Sequence, residues 1–185
     1  MALALQDTLS NLFAGFYIAV ANQVRLGDYI KLNTGEEGYV TDIGWRSTTI
    51  RALANNMIII PNSKLGQAVV TNFYMPEKRL GVSIQIGVSY DSDPDRVERV
   101  LLEEARTAAR EIPGMLAEPA PGVSFDPGFG DWALGFTLGY SVQEFADQFR
   151  VRHELRKRIL KRLRQEKIDM PFPTRTIYMH GQGDA

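Results

Sequence analysis

The 185-residue chain has no cysteine and only two histidines, His153 and His180. The first absence excludes a disulfide framework, thiol catalysis and cysteine metal sites. The two histidines fall on different predicted elements with no ligand spacing between them, so a histidine-based metal centre is not expected either. A charge excess of either sign is also missing: 21 Lys and Arg stand against 22 Asp and Glu, a formal net charge of -1. No global basic surplus therefore announces a nucleic-acid partner. Crossing a bilayer takes about 20 apolar residues in a row, and no window reaches that, so the chain is expected to be soluble or to sit on a membrane surface. It shows no solenoid-type repeat.

Chemistry is equally sparse. Asp91, Asp93 and Asp95 open like a calcium loop, but Arg96 stands where that loop needs glycine and Leu102 where it needs a bidentate glutamate. Helix capping explains the acids fully. Gly128-Phe129-Gly130-Asp131 leads into a strand where a phosphate-binding helix would have to begin, and so reads as a hairpin turn. Nothing assembles a nucleophile, a base and an oxyanion site. No catalytic residue, cofactor or metal is expected, and an enzyme with a ferredoxin-like domain ranks behind the readings below.

The hydrophobic fraction of 44% allows a normal core, and the length suits one large or two small domains. Residues 1–21 read as a helix, with Leu5, Leu9, Leu12, Phe13, Phe16 and Tyr17 at helical spacing and Gln6, Asp7, Ser10 and Asn11 on another face. Two readings stand: an amphipathic helix packed on its own domain, or one packed closely in or near a bilayer, as the small residues Ala2, Ala4, Ala14, Gly15, Ala19 and Ala21 favour. Residues 22–76 are β-rich, with turn signals at Gly27-Asp28, Asn33-Thr34-Gly35 and Asn55-Asn56. Trp45 beside Gly44 suggests a bulge aiming a large ring inward. The chain is organised around Asn55–Asn72. There the run Met57 to Ile60 is broken by Pro61, Asn62 and Ser63 can satisfy local backbone groups, and Lys64, Leu65 and Gly66 lead into a second apolar segment. Taken alone, this is any tight β corner.

Residues 77–185 carry strands that are bulky on one face and small on the other. Leu80, Val82, Ile84, Ile86, Val88 and Tyr90 alternate with Gly81, Ser83, Gln85, Gly87 and Ser89, and Trp132 to Ser141 repeats the pattern. Such a sheet wants helices on one face only. One helix starts at Asp93-Pro94 and runs up to Pro113-Gly114. A second, about Val142 to Lys167, turns Phe145, Phe149, Leu155, Ile159, Leu160 and Leu163 inward, and a last strand spans Thr174 to His180. The order strand, helix, strand, strand, helix, strand is the ferredoxin-like pattern. The second helix gathers Arg150, Arg152, Arg156, Lys157, Arg158, Lys161, Arg162, Arg164 and Lys167. That cluster reads as a solvated face, a cationic wall or a phosphate-binding face, without the interleaved aromatics of single-strand binders.

Leu3 to Phe16, Val24 to Leu32, Gly38 to Arg51, the Pro61 corner and Met170-Pro171-Phe172-Pro173, in this order and spacing, make the chain resemble the small-conductance mechanosensitive channel (MscS) family. The resemblance spans almost the whole chain. It implies an α+β fold: the distal part of a pore-lining helix (1–21), a small Sm-like β-barrel (22–76) and a ferredoxin-like domain with a C-terminal strand (77–185). It further implies a homoheptameric ring in the bacterial inner membrane, anchored through helices upstream of this segment. This portion would form a cytoplasmic vestibule releasing ions and small osmolytes under tension. Leu3 and Gln6 would then lie at the pore and gate, and Asp7 would stand where better-known members have glycine, making it or Gly15 the helix bend. Pro61, Asn62, Ser63 and Lys64 would form a barrel corner at a subunit interface, and Arg156, Arg158 and Arg162 would set vestibule electrostatics. The rival from another class is a soluble Sm-like ring binding RNA; in the channel reading no nucleic acid is expected.

Overall fold

The computed structural model describes residues 2–173, with side chains from Thr8 onward except that of Ala19. The chain divides into two units, one up to Arg79 and one from Leu80 onward.

The first unit opens with helix α1 (Ala2–Ala21), followed by strands β1 (Tyr29–Leu32), β2 (Glu37–Ile43), β3 (Ser47–Arg51) and β4 (Met57–Pro61), a one-turn helix α2 (Asn62–Leu65) and β5 (Val70–Asn72). The strands make one antiparallel sheet in the order β4-β3-β2-β1-β5. Two glycines are required by the backbone. Gly27 turns the chain into β1 at a φ of 85°, a region open to glycine without steric cost. At Gly38 a Cβ would lie 2.5 Å from the Arg51 carbonyl oxygen, so only glycine lets β2 come this close to β3. Ile18, Val24, Ile30, Leu32, Val40, Ile50, Ile60 and Leu65 form the core, and burying a side chain of that size stabilises by about 1.5–3 kcal/mol. Tyr29 lies edge-on to Tyr39 and Phe73. Burial, reinforced by the negative charge of Glu37, pushes its hydroxyl up to about 12.

The expected inward ring at Trp45 is not found. Trp45 is 62% exposed, and the irregularity in the β2–β3 ladder falls between Val40 and Asp42. Gly44 and Trp45 lie instead in the connection after β2, where the Gly44 N–H bonds the Ser47 carbonyl at 2.9 Å and closes a tight turn.

The second unit contains β6 (Leu80–Val88), α3 (Pro94–Glu111), a short β7 (Met115–Leu116), β8 (Gly122–Phe129), β9 (Leu134–Val142) and α4 (Asp147–Gln165). β9 is central, paired with β6 from Leu80–Val142 to Val88–Leu134 and, on its other side, with β7 and β8. The bulky face is buried under the helices. Ile84, Ile86, Val88, Phe136, Leu138 and Tyr140 join Val97, Val100, Leu101 and Ala105 of α3 and Val151, Leu155, Ile159 and Leu163 of α4 in one core. On the opposite face Gly81, Ser83 and Gln85 are exposed. α3 starts as its sequence dictates: the Asp93 carboxylate accepts the Asp95 N–H at 3.1 Å, and Pro94 takes the first helical position.

The second helix starts later than its periodicity predicts. Val142 is still strand, paired with Leu80 on one side and Met115 on the other, and the Gln143 N–H bonds the Gly114 carbonyl at 2.8 Å. Ladder bonds on both sides hold this stretch extended. Phe149 and Leu160, expected to face inward, are exposed, while Val151 takes a fully buried position. After α4 the Ser89 N–H donates to the Asp169 carbonyl at 2.8 Å, bringing the outgoing chain to the end of β6. The predicted strand Thr174 to His180 lies outside the described residues. No described helix is long and apolar enough to cross a membrane.

Candidate functional site

In the first unit the Pro61 corner is the seat of α1. Pro61 closes β4 opposite Ser47, and α2 starts at the next residue because the chain must turn where the ladder ends. Asn62 is fully buried. Its backbone N–H bonds the Arg46 carbonyl at 2.9 Å, its side-chain N–H donates to the Gly44 carbonyl at 2.9 Å, and its Oδ1 accepts the hydroxyl of the equally buried Thr48 at 3.0 Å. A buried amide costs stability unless it is bonded. This one is bonded on both its ends, to partners 14 and 18 residues away, where the sequence pointed to local backbone groups.

α1 lies across that corner. Gly15 is buried, and a Cβ on it would come 2.5 Å from Asn62 Nδ2 and 3.0 Å from the Trp45 carbonyl oxygen. One turn earlier, Asn11 Oδ1 accepts the Ser63 backbone N–H at 3.0 Å, and one turn later Ile18 enters the core. Leu9, Leu12, Phe13, Phe16, Tyr17 and Val20, on the other half of the helix, are all at least 45% exposed. Pro61 and Lys64 are exposed at the two ends of the corner. The backbone of Leu3, Gln6 and Asp7 is helical within α1; their side chains lie outside the described residues.

In the second unit the basic helix is less free than its composition implies. Arg158 pairs with Glu104 at 2.9 Å and also with Glu111. Arg162 pairs with Glu103 at 2.9 Å and Glu166 at 3.1 Å, and Arg96 of α3 also reaches Glu166 at 3.1 Å. The Arg96 and Arg162 guanidiniums hold the Glu166 carboxyl below its usual range, and the Glu111 and Glu104 carboxylates hold the Arg158 guanidinium above its own. Arg156, by contrast, is exposed and makes no ion pair among the described residues. The three arginines singled out from sequence thus split into one cation without an ion pair among the described residues and two helix-to-helix ties. Sequence reading missed Asn11, Gly44 and Thr48 as parts of the seat, and Glu103, Glu104 and Glu111 as partners of α4. Asn11 stood out only as a polar break in an apolar helix, and nothing local distinguished Thr48 from any strand threonine.

Two family models match the chain: "Mechanosensitive ion channel, beta-domain" over residues 7–75 and "Mechanosensitive ion channel MscS, C-terminal" over residues 82–170. The chain belongs to the MscS family. Its relatives include the small-conductance mechanosensitive channel MscMJ of Methanocaldococcus jannaschii, 33% identical over 181 residues that are 97% of this chain and 50% of that protein. Mechanosensitive channel MscK of Escherichia coli is 30% identical over 182 residues, 98% of this chain and 16% of its own length. The chain spans about half the length of the first of these. Among solved structures, closed-state MscS of Helicobacter pylori superposes with a TM-score of 0.80 at 25% identity, covering 98% of this chain and 69% of that one. Arabidopsis thaliana MSL1 shares the fold, with a TM-score of 0.69 at 19% identity over 93% of this chain and 61% of its own. The two family matches meet between residues 75 and 82, where the structure also divides.

Proposed function

We propose that this chain is the end of the pore-lining helix and the cytoplasmic vestibule of a tension-gated MscS channel that releases ions and small osmolytes. The observation that carries the reading is the placement of α1. One side is fixed to the β unit through Gly15, Asn11 and Ile18, while the opposite half is a continuous apolar surface too short to span a bilayer. A helix of that kind transmits force between a membrane-embedded part and a folded base. In this reading residues 1–21 are the pore helix end, with Leu3 and Gln6 at the throat and Asp7 at its bend. Residues 22–76 are an Sm-like barrel whose Pro61–Lys64 corner meets the neighbouring subunit. Residues 77–185 are a ferredoxin-like domain, and the strand order β6-β9-β8 with its helices on one face supports that description. The assembly is a homoheptamer in the bacterial inner membrane with this portion in the cytoplasm. Opening is a population shift toward the state occupying more membrane area, and a narrow apolar throat around Leu3 keeps the closed state dry.

The RNA-binding ring is not carried forward: the relatives named above are channels, and two of the basic residues of α4, Arg158 and Arg162, are tied to α3. The deciding experiment is patch recording of the full-length protein in liposomes, with light scattering on the detergent-solubilised protein. Tension-activated current from a seven-subunit particle is expected. Inserted protein with no current under tension, or a monomer at high concentration, overturns the proposal.

A further inference from the structure

In the first unit a glycine of helix α1 closely approaches an amide that cannot move. Gly15 of α1 faces Asn62 Nδ2 so closely that a methyl group at position 15 would sit 2.5 Å from it. An exposed amide at that distance would swing aside. Asn62 has no such freedom, because it is fully buried, its Nδ2 is spent on the Gly44 carbonyl and its Oδ1 is held by the Thr48 hydroxyl. Turning it away would leave two buried polar groups without partners, which costs more than a hydrogen bond adds. The other wall of the notch is the Trp45 carbonyl, 3.0 Å from the same point. The bond from Ser63 N–H to Asn11 sits one helical turn away.

We infer that Thr48, Asn62 and the Gly44–Trp45 backbone form a rigid polar notch that admits only glycine at position 15 and so fixes the register of α1 on the β unit. Thr48 and Asn62 are positioning residues in this account: they act on α1 through the shape of the notch and touch no permeating ion. Gly15 is accordingly a docking point. Its role as a place where the helix flexes is secondary, since a turn wedged between two fixed groups cannot bend without leaving them. The link to gating rests on the channel reading above; the notch itself does not.

The test uses the full-length channel with any upstream cysteine replaced, since this segment contributes none. Spin labels at Phe13→Cys and Gln67→Cys, both exposed positions, report the distance from α1 to the corner. Gly15→Ala is expected to shift or broaden that distance, and to change the rate of current loss under sustained tension about tenfold while the opening tension moves little. Adding Asn62→Ala opens room for the methyl group and is expected to restore the distance. Thr48→Val frees Asn62 without changing volume much, and is expected to make Gly15→Ala nearly silent in the distance measurement. An unchanged distance in Gly15→Ala, or effects of the paired changes that simply add, overturns the notch. A parent protein that gives no tension-activated current sinks the channel reading, and the spin-label distances still decide the notch.

Discussion

The Asn11 side chain accepts the backbone N–H of Ser63 at 3.0 Å, across 52 residues of sequence. It links the polar side of α1 to the first turn after β4, at a point where a helix N-terminus leaves its N–H groups without intrahelical partners.

Asn11→Ala removes that acceptor. The Ser63 amide then depends on water, and its hydrogen exchange in the full-length protein is expected to quicken by about tenfold, the equivalent of one lost hydrogen bond. Exchange at Ile84 and Ile86, in the other unit, should not change. An unaltered Ser63 rate would show that the helix is held by its apolar contacts alone.

Charge reversal separates the arginines of α4. Arg156→Glu changes an exposed cation with no ion-pair partner among the described residues and is expected to shift anion over cation preference in reconstituted channels while leaving the melting temperature within about 2 °C. Arg158→Glu places a third carboxylate against Glu104 and Glu111, and is expected to lower the melting temperature clearly. If both variants melt like the parent, the ties to α3 carry no weight, as holds for many surface ion pairs.

The pH dependence follows from Glu166. Arg96 and then Arg162 lower its carboxyl below the ordinary value of 4.5. A carboxylate whose folded value is depressed contributes stability that is fully present above the unfolded value and is lost as the pH falls through the folded one. Thermal stability should therefore decline as the pH drops below about 4.5. The Glu166→Gln variant should lose less over that interval than the parent, although it starts lower at neutral pH. Parallel curves for the two proteins would remove Glu166 as a contributor.

Asp7→Gly tests the bend. Asp7 is helical within α1, and glycine in its place loosens the backbone there. The substitution is expected to alter passage into the non-conducting state under sustained tension more than it alters the opening threshold. Unaltered closure kinetics in patch recordings would move the bend elsewhere or leave α1 straight.

The sheet faces were readable because alternation with period two leaves only one side able to bury Ile84, Ile86, Phe136 and Leu138, and the helices had to follow. The start of α3 was readable because Asp93 and Pro94 act locally. The start of α4 was not: Val142 satisfies a helical stripe equally well, and only ladder partners distant in sequence, Leu80 and Met115, keep it extended. The corner at Pro61 showed in the sequence as a break, since proline cannot continue a ladder. Its use as a seat for α1 did not, because the partners of Asn62 and Ser63 lie at Gly44, Thr48 and Asn11, and hydrogen bonds over such separations leave no local pattern. The ties of Arg158 and Arg162 to Glu103, Glu104 and Glu111 were hidden for the same reason, since those glutamates belong to another helix.

The nine-residue strand β6 is paired along β9 only, among the described residues. Beyond the Ser89–Asp169 bond, its other border offers Gly81, Ser83, Gln85 and Gly87, with no proline, lysine or bulge to discourage a newcomer. Such a border is a template on which a foreign strand can crystallise. Gln85→Lys is the smallest change that would blunt that template.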